Sequence, residues 1–112
     1  MAIKVLVETV GPFSENSYFL VDEETREAVA VDPGDEASRL LAVVRRHDLT
    51  VRWILNTHGH LDHVGAVSEL KDATRAPFHI HKDDLFLVEA IPEQAALFGL
   101  RPPAIPRIDG YL

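Results

Sequence analysis

The stretch NTHGHLDHVG, residues 56–65, sets three histidines and an aspartate within six positions, half of the six histidines the chain possesses. Ahead of it runs VRWIL, apolar and β-branched enough for a strand in a sheet core. Behind it Val64, Val67 and Leu70 recur at the spacing of one helical face. A polar loop between a core strand and an amphipathic helix is a joint of an α/β sheet, whose ligands gather beyond the carboxyl ends of the strands. His58 and His60 stand two apart, so in an extended loop both imidazoles project to one side, toward a single cation. Gly59 leaves the backbone between them bare. Asp62 and His63 are adjacent where the helix begins and can face a second cation. Imidazole and carboxylate without thiolate suit zinc, manganese or iron. Clustered histidines also occur on exposed turns, but the apolar strand, the amphipathic helix and the glycines at 59 and 65 favour the metal reading.

The sequence on either side fits the same architecture. Residues 3–10, IKVLVETV, read as a strand, and residues 17–22 and 27–32 flank the polar turn EETR as an antiparallel hairpin, so a three-stranded meander opens the chain. PGD stops the third strand, and Asp35 is the expected N-cap of a helix whose apolar face is Ala37, Leu40, Leu41 and Val44. Residues 51–57 read as a buried strand, 62–73 as a helix and 76–81 as another short strand. Strand, helix, strand predicts a parallel crossover. Arg45, Arg46 and His47 fall at a helix end, where positive charge complements the dipole, and Asp83 and Asp84 are expected to initiate a helix. The tail from Ile91 begins as a short helix and passes into a proline-rich stretch without periodicity.

Composition narrows the partners. A chain of 112 residues with 46% hydrophobic content can build one small core. Its net charge of -7 leaves no electrostatic footprint for nucleic acid or an anionic membrane, and no apolar run reaches membrane-spanning length. With no cysteine there is neither a disulfide nor a thiolate ligand, which fits a reducing compartment, and a cytoplasmic protein is the expectation.

THGHLDHVGA, residues 57–66, resembles the signature loop of the metallo-β-lactamase-fold hydrolases. ENSYFLVD (15–22), AVAVDPG (28–34) and ILNTHGHLDH (54–63) fall in that family's order and spacing. IPEQAALFGL (91–100) is similar to the short single-domain bacterial hydrolases related to glyoxalase II. The resemblance implies an α/β fold, namely the N-terminal half of an αββα sandwich with a mixed sheet and helices on one face. It implies two divalent metal ions, zinc foremost with iron or manganese as alternatives. His58 and His60 would bind the first metal, and Asp62 and His63 the second. Asp62, facing the solvent between the cations, would also be the catalytic carboxylate that orients the attacking hydroxide. Asp32, at the end of VDPG, would orient a ligand from beneath the loop, although turn chemistry alone also accounts for an aspartate before Pro-Gly. Asn16 reads as structural, and His79 and His81 match no ligand position, so an exposed strand face is their expected place.

The implied activity is hydrolysis of a small-molecule acyl or thioester substrate, in the manner of a hydroxyacylglutathione hydrolase, by a water ionised at the metals. The family supplies three further metal ligands later in its chain, whereas the last histidine here is His81. Residues 1–112 are therefore expected to be one truncated domain, inactive in isolation. Its bare sheet face would await the missing C-terminal half or a second copy. Two other classes stay open: an iron-dependent oxidoreductase like the persulfide dioxygenases, and a non-catalytic half-domain that serves as an interaction module.

Overall fold

The computed structural model describes residues 2–12, 14–57, 65–100 and 105–112. Six strands lie side by side in chain order, β1 (Ile3–Val10), β2 (Glu15–Asp22), β3 (Glu27–Val31), β4 (Thr50–Leu55), β5 (Phe78–Ile80) and β6 (Gly110–Tyr111). The first three form the antiparallel meander, and from β3 onward every pairing is parallel. The crossovers carry α1 (Ala37–Arg46) between β3 and β4 and α2 (Val67–Thr74) between β4 and β5. A 3-10 turn (Lys82–Asp84) then leads into α3 (Leu85–Glu89) and α4 (Ile91–Leu97). Asp84 precedes α3 directly, in keeping with the initiating role expected of it.

Register divides the side chains into two populations. Leu6 lies opposite Phe19 and Phe19 opposite Ala30, and this face is covered by the helices. Phe19, Val21, Ala30, Ile54, Phe78 and Ile80 are buried there against Leu40 and Val43 of α1 and Val67 and Leu70 of α2. On the other face Val5, Leu20, Val29 and Trp53 are aligned in one row across four strands. That row is open: Val5 is 52% exposed, Leu20 40% and Trp53 45%. The fold is thus an α/β sheet with helices on one side and an apolar surface on the other.

Several local expectations are corrected. Strand β4 is buried on one face alone, because the pairing with β3 shifts at Ala28/Val29 and leaves both Arg52 and Trp53 outward. The residue preceding α1 is Glu36, left-handed at φ 51°, and not Asp35. Its carbonyl accepts from the Arg39 and Leu40 amides, while its carboxylate reaches back to the Gly11 amide at 2.9 Å. Asp35 instead accepts from the Glu36 amide at 2.7 Å. The face of α1 is rotated accordingly: Ala37, Leu40 and Val43 are buried, and Leu41 and Val44 only partly so. At the far end of α1 the guanidinium that meets the His47 carbonyl is that of Arg26, so the cation serving this end includes one from the hairpin turn. The tail, expected to be irregular, returns as β6 along the edge of β5.

Candidate metal-loop site

The parallel strands β3 and β4 end side by side, and the Asp32 amide extends their ladder by donating to the Leu55 carbonyl at 3.0 Å. Asp32 then turns out of the strand with φ 52°. A left-handed conformation costs a non-glycine residue about 1–2 kcal/mol, least for aspartate and asparagine, so the position is one where the turn outweighs local preference. Asp32 is buried, at 3% exposure, and both its carboxylate oxygens are engaged by Thr57. Oδ1 accepts from the Thr57 amide and Oδ2 from the Thr57 hydroxyl, each at 2.7 Å. Thr57 is the last described residue before the histidines.

Beyond the loop, the Ala66 amide donates to the Pro33 carbonyl at 2.9 Å. Both ends of the histidine loop are therefore tied to consecutive residues of one turn, Asp32 and Pro33. Ser17, buried in β2, holds that turn from below, donating to the Asp32 carbonyl at 2.6 Å and accepting from the Gly34 amide at 3.1 Å. Asn56, buried beside Thr57, is joined to β5 through its amide and the His79 carbonyl at 3.2 Å.

His58, His60, Asp62 and His63 lie outside the described residues. What is described is the seat of their loop, at the carboxyl ends of β3 and β4 where the sequence reading puts it. The donor set fits divalent metal, three imidazoles and a carboxylate being borderline ligands suited to zinc, iron or manganese. Asp32 fulfils the turn role and also anchors the loop; these are one function, since the left-handed turn aims the carboxylate. Asn16 is structural, its Oδ1 accepting from the Thr9 hydroxyl at 2.9 Å across the β1–β2 pair. Thr57, Pro33, Ala66 and Ser17 were not singled out by the sequence reading. Ser17 alone left a trace, as a polar residue in phase with Phe19 and Val21 on the covered face of a strand.

Among the described residues the second histidine pair forms no site. His79 lies on the open sheet face as expected, half-buried there and edge-on to Trp53 with ring centroids 4.9 Å apart. A Cβ at Gly110 would come within 2.3 Å of the His79 ring, so a larger residue there requires the imidazole to shift. His81 is exposed, and its Nδ1 accepts from the Asp83 amide at 3.1 Å, which caps the 3-10 turn. Among the described residues no three His, Cys, Asp or Glu side chains converge as a metal site. Nor is any described helix long and apolar enough to cross a membrane. At the opposite, amino end of the parallel strands, Asp109 accepts from Lys71, from the Phe78 amide and from Arg107. The Lys71 ammonium foremost, then the Phe78 amide and Arg107, hold its carboxyl well below the usual aspartate range.

Comparison with known proteins agrees with this geometry. The family model of the metallo-beta-lactamase superfamily matches residues 10–110. The hydroxyacylglutathione hydrolase GloC of Haemophilus influenzae is 41% identical over 104 residues, covering 92% of this chain and 46% of the relative. Among solved structures, the BLEG-1 B3 metallo-beta-lactamase superposes with a TM-score of 0.87 at 31% identity, over 97% of this chain and 53% of the other. TTHA1623, in a di-iron-bound form, gives 0.84 at 39% identity, over 94% and 52%. The chain thus spans about half the length of the proteins it matches. With Thr57 and Ala66 on either side of the histidines tied to the turn after β3, and the family match running from residue 10 to residue 110, the chain belongs to the metallo-β-lactamase superfamily.

Proposed function

We propose that this chain carries the first metal-binding half of a hydrolase that cleaves thioesters of the hydroxyacylglutathione type. The observation that carries the reading is the double anchoring of the THGHLDHVGA loop, Thr57 to Asp32 and Ala66 to Pro33, at a sheet end where ligands are bound. The likeness to the Haemophilus influenzae hydroxyacylglutathione hydrolase supports the substrate class. His58 and His60 would hold one cation, and Asp62 and His63 the other. Two divalent cations, when bound, ionise water near neutral pH and polarise a carbonyl oxygen. Asp62 would accept the hydrogen bond that aims the nucleophile at the substrate carbon. Asp32 takes no part in the chemistry and keeps the loop entrance fixed. Zinc is the cation proposed, and the di-iron-bound relative keeps iron beside it.

The test is metal content and thioester hydrolysis in the longer protein carrying this segment, with S-lactoylglutathione as substrate. His58→Ala and His60→Ala should each lower kcat by orders of magnitude and reduce bound metal measured by plasma mass spectrometry. Retained hydrolysis in His58→Ala would remove the catalytic assignment, and unchanged metal content the ligand assignment.

The open sheet face belongs to the same reading. Exposed apolar patches beyond a few hundred Å² mark interfaces, and each Å² left uncovered forgoes about 25 cal/mol. The proposed cover is a second half of the family fold, and residues 1–112 alone should associate through Val5, Leu20 and Trp53. Sedimentation velocity should show oligomers that Trp53→Glu disperses. A monodisperse monomer that binds two zinc ions tightly would show instead that this half is self-sufficient.

A further inference from the structure

We propose that the Ser17 hydroxyl is a positioning residue for the histidine loop, gripping the turn from which both loop ends hang. The grip stands on geometry; its consequence for metal rests on the function proposed above. Ser17 is 1% exposed, on the face of β2 where Phe19 and Val21 pack into the core. A serine there adds little to apolar burial, so its hydroxyl must be accounted for by hydrogen bonds. It makes two, donating to the Asp32 carbonyl at 2.6 Å and accepting from the Gly34 amide at 3.1 Å.

Those two partners bracket Pro33, which has no amide of its own to stabilise a turn. The Asp32 amide is already engaged with Leu55, so the three-residue turn is closed on its inner side by Ser17 Oγ. From this turn the Asp32 carboxylate reaches Thr57 and the Pro33 carbonyl reaches Ala66. Removing the hydroxyl leaves the carbonyl of a buried residue and the amide of another short of a partner, and the turn relaxes toward whatever satisfies them. Both loop anchors move with it. The loop then reaches the metal less organised, and metal affinity falls with it.

Residue-resolved amide hydrogen exchange, without metal, reads the grip directly. In Ser17→Ala the Thr57 and Ala66 amides should exchange about tenfold faster or more, while the Phe19 and Ile54 amides of the core keep their protection. Zinc affinity, measured by competition with a chromophoric chelator, should fall. Ser17→Thr and Ser17→Val form a pair of equal shape that differ in the hydroxyl. Thr57 and Ala66 should stay protected in the threonine variant relative to the valine variant. Equal exchange in that pair would overturn the proposal, as would unchanged exchange at Thr57 and Ala66 in Ser17→Ala. Uniform loss of protection through the sheet would make Ser17 an ordinary core residue and overturn it too. If the wild-type protein binds no zinc, the metal reading fails while the exchange data still decide the grip.

Discussion

Asp32 and Asp109 both fasten one segment to the next, and they do so at opposite ends of the parallel sheet by different means. Asp32 sits in a left-handed turn and directs both oxygens to one neighbour, the amide and hydroxyl of Thr57. Asp109 divides its oxygens between Lys71, Arg107 and the Phe78 amide, and has no left-handed backbone to maintain. The first spends conformational freedom on aim; the second gathers charge for attachment. At Asp32 a left-handed turn presents a loop, and at Asp109 charge neutralisation keeps a tail. Left-handed non-glycine residues also stand in turns elsewhere, at Ser14, Arg26, Glu36, Asp48 and Arg75, so what ties the turn at Asp32 to the loop is the aim of its carboxylate at Thr57.

The largest effect should come from Asp32→Ala. It places alanine at φ 52° and removes two acceptors from Thr57, for a combined loss of about 2–4 kcal/mol. Urea denaturation measures it. Asp32→Asn, which tolerates the turn and keeps one acceptor, should lose about 1 kcal/mol. Equal losses in the two variants would show that the left-handed turn carries no weight, and the contrast with Asp109 would disappear.

The sequence exposed one end of the sheet better than the other. Strand β1 was legible residue for residue because its β-branched run is bounded by turn formers, and the meander followed from the EETR hairpin. The seat of the histidine loop was legible because an apolar strand and a helical period flank it. Glu36 displaced Asp35 at the start of α1 because the Gly11 amide claims the Glu36 carboxylate, a contact 25 residues away that no local pattern contains. The partial burial of His79 was hidden for a similar reason: Trp53 and Gly110, which flank it, come from β4 and β6. Strand β6 was invisible because two residues after a proline-rich stretch carry no period, and the Lys71–Asp109 pair that holds it spans 38 positions. The two halves of the Asp32–Thr57 clamp were each in view, but their meeting depends on parallel registry between β3 and β4.

Asp109→Asn should have an intermediate effect. It weakens two ion pairs, Lys71 at 2.5 Å and Arg107 at 2.9 Å, of which the Arg107 side chain is 85% exposed and contributes little. The half-buried Lys71 contact dominates, and about 1–2 kcal/mol is expected. The loss should be local: amide exchange at Leu112, whose N–H donates to the Ile80 carbonyl, should accelerate, while that at Thr57 stays unchanged. Acceleration at both ends alike would mean that the two carboxylates act through one cooperative sheet, and the division drawn between them would fall.

The smallest effect is the acid limb of stability, and it separates the two carboxylates by charge. The folded Asp109 carboxyl lies well below its unfolded value, which is about 3.9, because the Lys71 ammonium, the Phe78 amide and Arg107 favour the anion. A group depressed on folding binds its proton more readily in the unfolded chain. Its stabilisation is complete above the unfolded value and is lost progressively as pH falls below it toward the folded value. The wild-type protein should therefore lose stability between about pH 5 and pH 2 more steeply than Asp109→Asn, and the two should converge as the pH drops. Urea midpoints taken at half-unit intervals measure this. Parallel curves would show that Asp109 binds its proton equally in both states and that the attachment of β6 comes from backbone pairing, leaving the charge at that end without the role assigned to it.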